Sequence, residues 1–93
     1  MFKKAKHVHF IGIGGIGMSG IAELLLNLDF IITGSDISKS QNVNRLETRG
    51  VEIFIGHSAK NIDNVDVVVY SSAVKQENIE ILTAKKKKYS CNT

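Results

Sequence analysis

The chain has 93 residues, 43% hydrophobic and 23% charged, with no proline and no tryptophan. That length supports one small domain with a modest core, and no apolar run approaches the roughly 18–20 residues that span a bilayer. The formal charge of +3 does not mark a nucleic-acid surface. Residues 1–84 carry eight Lys and Arg against nine Asp and Glu, and four consecutive lysines at 85–88 reverse the balance. Such a run reads as a solvated helix end, whereas nucleic-acid recognition spreads cations over a face with aromatics among them.

The N-terminal Met1-Phe2-Lys3-Lys4-Ala5-Lys6 is basic, but no cleavable apolar segment follows, so a cytoplasmic protein with no membrane partner is expected. The lone Cys91 cannot form an internal disulfide. Val8–Ile13 reads as a short buried strand. A helix over residues 16–28 follows, with Ile21, Leu24, Leu25 and Leu28 at the spacing of an apolar stripe. Asp29 stands where that helix ends, a left-handed position that glycine fills best and Asp tolerates. Phe30–Thr33 is the second strand, rich in β-branched residues. Ser40 is placed to cap a helix near 41–49, and Gly50 to end it. Val51–Ile55 and Val65–Tyr70 are the third and fourth strands, and residues 77–87 form a last helix whose lysines suit the negative end of its dipole.

Short apolar strands alternating with helices imply an α/β fold. The expected architecture is a Rossmann-like parallel sheet of four to five strands with helices on both faces, in three layers. The domain is expected to span residues 1–88. Residues 89–93, Tyr-Ser-Cys-Asn-Thr, make a poor fifth strand and read as an irregular tail. Because lysine runs can be encoded by adenine runs where frames slip, a frame-shifted or truncated end is expected there.

The chemistry concentrates in residues 10–20, where five of eleven positions are glycine. Gly12, Gly14 and Gly17 satisfy G-x-G-x-x-G between a strand and a helix N-terminus. Backbone N–H groups and the helix dipole favour phosphate there; the plainer alternative is a tight turn with no ligand. Asp36 follows Gly17 by nineteen positions, just past the second strand, where dinucleotide-binding folds set a carboxylate on ribose hydroxyls; it can equally cap the next turn. These residues alone make NAD the default ligand. Ser71, Ser72 and Ala73 after the fourth strand, and His57 after the third, fall on the same sheet edge, with simple turn and surface roles as the alternatives. His7 and His9 flank the first strand and read as structural. No residues show metal-ligand spacing, no nucleophile–base set is visible, and no G-x-x-x-x-G-K-[ST] loop for ATP is present.

The wording of the loop is more specific than its pattern. His9-Phe10-Ile11-Gly12-Ile13-Gly14-Gly15-Ile16-Gly17-Met18-Ser19-Gly20-Ile21-Ala22 closely resembles the opening of the Mur ligases of bacterial peptidoglycan synthesis, in the branch that joins L-alanine to UDP-N-acetylmuramate. The likeness continues through Thr33–Ile37, Leu46–Gly50, Ile55–His57, Ala59–Asn61 and Asp66–Ala73, and covers roughly residues 7–87. The branch that recycles murein peptides is less similar in this loop. The resemblance implies that the domain binds the UDP moiety of UDP-N-acetylmuramate rather than NAD. Gly14, Gly15, Ile16, Gly17, Met18 and Ser19 would cradle the pyrophosphate. Ser35 and Asp36 would lie beside the uridine, His57 would approach it from the third-strand loop, and Ser71, Ser72 and Ala73 would lead toward the muramyl carboxylate. The family's reaction is ATP- and magnesium-dependent amide formation through an acyl phosphate. By the same resemblance that chemistry belongs to other domains, so this chain holds no catalytic residue, no metal and no cofactor of its own. A dehydrogenase-type NAD(H) module and a non-catalytic fragment are the alternatives. The chain departs from the family at Asp29, where glycine is usual, near Lys75–Ile79, where proline is usual, and in its tail.

Overall fold

A computed structural model describes residues 6–87 and 90–92. Five strands form one parallel sheet in the order β3-β2-β1-β4-β5. They are β1 (His7–Ile11), β2 (Ile31–Asp36), β3 (Glu52–Ile55), β4 (Val67–Tyr70) and β5 (Ser90–Asn92). The helices are α1 (Ile16–Asn27), α2 (Gln41–Thr48) and α3 (Ile79–Lys86), with a 3₁₀ turn at Ala59–Ile62. The register sets Phe10 beside Gly34 and Val69, and Ile11 beside Ser35 and Tyr70.

Side chains alternate across the sheet, so each face has its own core. On one face Val8, Phe10 and Ile32 pack against Met18 and Ala22 of α1 and Val43 and Leu46 of α2. On the other, Ile11, Val68 and Tyr70 pack against Ile62, Ile81 and Ala84. This is the three-layer α/β arrangement expected from the order of elements.

The local signals at the helix ends work as expected. The Ser40 side chain accepts from the Val43 N–H and caps α2. Both α1 and α2 close with the same pair of backbone bonds, one from each of the two residues past the cap. Asp29 N–H reaches Leu26 O and Phe30 N–H reaches Leu25 O. In α2, Gly50 N–H reaches Glu47 O and Val51 N–H reaches Leu46 O. Each closure needs a left-handed residue; Gly50 supplies it at φ 101° and Asp29 at φ 69°.

Two expectations are corrected. The expected apolar stripe of α1 faces the sheet only through Leu25: Leu24 is 58% and Leu28 60% exposed, and Ile21 is also exposed. The buried face is Met18, Ser19 and Ala22, with Leu25 and Leu26 against the core. Small residues let the helix lie close to the sheet. Because α1 is apolar on more than one side, periodicity alone could not orient it. The second correction is at the tail. Ser90–Asn92, expected to be irregular, pairs in parallel with Val67–Val69 as an edge strand. Backbone pairing with β4 outweighs the weak β propensity of these residues, as is common at a sheet edge.

Candidate functional site

The chain turns from sheet to helix at Gly12, whose φ of 76° a side chain would resist. Gly12 and Ile13 N–H groups both donate to Ser35 O of the neighbouring strand, at 2.8 and 3.0 Å. Ile13 then lies directly on Gly34, where an added Cβ would stand 2.4 Å from Ile13 Cδ1 and 2.7 Å from its Cβ. No side chain fits at Gly34, and that absence lets the loop rest on the sheet.

Asp36 fixes the next peptide. Its Oδ2 accepts the Gly14 N–H at 2.8 Å and its Oδ1 the Ile37 N–H at 2.7 Å. Asn42 Nδ2 donates to Gly14 O at 3.2 Å. A Cβ at Gly14 would meet Asp36 Oδ2 at 2.8 Å and the Ser40 and Val43 side chains at 3.0 Å. Asp36 is thus an anchor of the glycine loop, with one lone-pair direction left on each oxygen for a ligand.

The remaining loop N–H groups divide sharply. Gly15 N–H donates to Gly12 O, and Met18 and Ser19 N–H groups to Gly15 O. The first two N–H groups of α1, on Ile16 and Gly17, precede any intrahelical partner and are available to an anion. A Cβ at Gly17 would meet nothing within 4 Å.

A cleft of about 700 Å³ opens beside the loop at the C-terminal edge of the sheet. It lies where the strand order reverses between β1 and β4, the switch point at which open α/β sheets take ligands. Four segments close it: Gly12, Gly14 and Gly15; Asp36, Ile37 and Ser40; His57; and the run after β4, from Ser71 and Ala73 to Asn78. The structure therefore brings Gly14, Gly15, Asp36, His57, Ser71 and Ala73 together. Ser72 is exposed outside the cleft wall, and the Met18 and Ser19 side chains are buried beneath α1. Lys75, Glu77 and Asn78 join the wall although their residue types gave no signal; only their position after the fourth strand could have found them.

Beneath the cleft, on the α3 face, lies a buried polar network. Glu80 is fully buried, yet its carboxylate accepts four hydrogen bonds. His9 Nε2 and Ser35 Oγ reach Oε1 at 2.8 and 2.7 Å; Ser58 N–H and Asn61 Nδ2 reach Oε2 at 3.0 and 2.7 Å. Burial pushes the carboxyl up. The hydrogen bonds from His9, Asn61 and Ser35, with the charge of His9, outweigh it and bring the group from 4.5 down to about 2. His9 continues through Thr33 Oγ1 to His7, each step 2.8 Å. Ser35 Oγ lies 2.9 Å from His57 Nδ1. Ser35, expected beside the ligand, is fully buried and belongs to this network. Glu80 was missed because an acidic residue among Ile79, Ile81 and Leu82 reads from sequence as a helix's wet face. No group of three side chains able to hold a metal ion occurs among the described residues.

A doubly wound parallel sheet with a glycine loop and a cleft at its switch point defines a nucleotide-binding type of α/β domain. Residues 7–92 match the family described as Mur ligase family, catalytic domain, and the chain belongs to the Mur ligase family. It is 60% identical over 86 residues to the UDP-N-acetylmuramate–L-alanine ligase of Persephonella marina, covering 91% of this chain and 19% of that protein. The ligase of the same description from Dechloromonas aromatica is 52% identical over 88 residues, covering 95% and 19%. Among solved structures, the UDP-N-acetylmuramate–alanine ligase of Thermotoga maritima superposes with a TM-score of 0.88 at 35% identity, over 92% of this chain and 20% of that one. The chain spans about a fifth of the length of these relatives. A yeast reductase solved with NADPH, at 20% identity and a TM-score of 0.60, shares the fold alone.

Proposed function

We propose that this chain is the UDP-N-acetylmuramate-holding domain of a ligase that adds L-alanine to that sugar nucleotide in the bacterial cytoplasm. The observation that carries the reading is the pair of N–H groups of Ile16 and Gly17, without a partner among the described residues, just past Gly15 in the wall of a cleft that Asp36, His57 and Ser71 help close. A phosphate of the UDP group takes those two donors at the helix start. The uridine lies toward Asp36, Ile37 and His57, and the sugar runs past Ser71 and Ala73. Lys75 sets a cation beside the sugar's carboxylate. The substrate is that of the relatives, which are UDP-N-acetylmuramate–L-alanine ligases.

The ligation itself falls to other segments of a longer polypeptide. ATP and magnesium are assigned with it to the part of the relatives' length that this chain does not span, about four fifths of it. Binding, orientation and a dry floor beneath the nucleotide are this domain's share.

Titration with UDP-N-acetylmuramate, UDP and NADH, followed by amide chemical shifts, tests the reading. Shifts centred on Ile16 and Gly17 with both uridine compounds and not with NADH are expected. The reverse pattern, or silence with all three, would sink it.

A further inference from the structure

His57 is the cleft's histidine, and its ring is tied inward. Nδ1 lies 2.9 Å from Ser35 Oγ and 3.4 Å from Glu80 Oε2, while the side chain keeps 19% of its surface exposed. Nε2 has no partner among the described residues, and no buried side-chain nitrogen there lacks one, so Nε2 has solvent access, and His57 is one of the residues lining the cleft.

The direction of each bond follows from counting hydrogens. Glu80 is ionised and only accepts. Ser35 has a single hydroxyl hydrogen, and it is donated to Glu80 Oε1. Toward His57, Ser35 is left with lone pairs alone. The hydrogen between them must sit on His57 Nδ1, which in a neutral imidazole leaves Nε2 bare.

We infer that Glu80, acting through Ser35, is a positioning residue that holds neutral His57 in its Nδ1–H form, so that Nε2 offers the cleft a hydrogen-bond acceptor and selects a ligand that presents a donor. The inference rests on the nucleotide reading of the cleft for its ligand only. In a uridine diphosphate that donor is the imide N–H of the base or a ribose hydroxyl.

The geometry also says how the state can be reversed. In Glu80→Gln the amide oxygen is held at the Oε2 position, because the Ser58 N–H there can only donate. The amide N–H groups then face Ser35 and His9, both able to accept. Ser35 is freed to donate to His57 Nδ1, and the ring hydrogen moves to Nε2. A donor in the cleft then meets a donor.

The test is nitrogen-15 NMR of the histidine-labelled chain, recorded where His57 is neutral. It is paired with affinity measurements for UDP, its N3-methyl analogue and its 2′- and 3′-deoxy analogues. The expected results are Nδ1–H in the wild type and Nε2–H in Glu80→Gln, with UDP affinity about five- to tenfold weaker in the variant. Loss of the same size on N3 methylation identifies the base as the donor, and on deoxygenation the ribose. A wild-type His57 found in the Nε2–H form overturns the inference, and so do analogues that all bind as well as UDP. Should Glu80→Gln not fold, Ser35→Ala serves, its expected mark being loss of the Nδ1–H preference; an unchanged preference overturns the relay. If UDP fails to bind while the wild-type ring is Nδ1–H, the nucleotide reading falls and the relay stands.

Discussion

The two faces of the sheet solve the same packing problem with different chemistry. Under α1 and α2 the sheet offers Val8, Phe10 and Ile32, and the helices answer with Met18, Ala22, Val43 and Leu46. Under α3 the same strands offer His9, Thr33 and Ser35 beside Ile11, Val68 and Tyr70, and the helix answers with Glu80 beside Ile81 and Ala84. The buried cluster of the apolar face contains no titratable side chain. The polar face has four donors converging on one carboxylate, and no buried side-chain polar atom among the described residues lacks a partner. Satisfied networks of this kind favour one arrangement, since each partial alternative strands a buried group. The face nearest the proposed nucleotide base is the one built to hold donors and acceptors in fixed directions.

Breaking each face separately sharpens the contrast. Glu80→Ala should be the most damaging change, costing about 3–5 kcal/mol, because it strands the buried His9 and Ser35 together with the half-buried Asn61 and Ser58 N–H. Leu46→Ala, fully buried on the apolar face, should cost about 2–4 kcal/mol. Urea unfolding of both variants measures the order; a Glu80→Ala protein more stable than Leu46→Ala would erase it.

Acid separates the faces next. The Glu80 carboxyl is depressed from 4.5 to about 2 in the folded chain. Its stabilisation is therefore complete above the unfolded value. It drains away as pH falls from about 4.5 to about 2, by about 3 kcal/mol in total. Leu46→Ala should keep this acid slope and Glu80→Gln should lose it, as read from unfolding free energies near neutrality and near pH 2. The smallest effect belongs to a helix end on the apolar face. Asp29→Gly relieves a left-handed side chain and should stabilise by about 0.5–1 kcal/mol. A destabilised variant would show that Asp29 makes an unrecognised contact.

The apolar face was also the more legible in sequence. Short β-branched runs marked the strands, and Ser40 and Gly50 marked the limits of α2, because caps and turns act within a few residues. Orientation of α1 was not legible, since Ile21, Leu24 and Leu28 are as apolar as the face that is buried. Within the cleft, Asp36 and His57 were found by their places at the end of β2 and after β3. What Asp36 does was not, because its bond to Gly14 joins residues 22 apart. Glu80 and His9 are 71 positions apart, and nothing local distinguishes a buried glutamate from a wet one. The edge strand Ser90–Asn92 was illegible for a related reason: it is defined by its neighbour β4 rather than by its own residues.

Gly34 carries a consequence for anyone who would move this loop into another scaffold. The familiar glycine spacing describes only the upper half of a two-piece joint. The lower half is a bare patch of backbone on the adjacent strand, twenty-one residues beyond the side chain it seats, with no room for even a methyl group. A graft of residues 12–17 alone would meet an ordinary strand residue there and be lifted off the sheet. The transferable unit is the loop together with its floor.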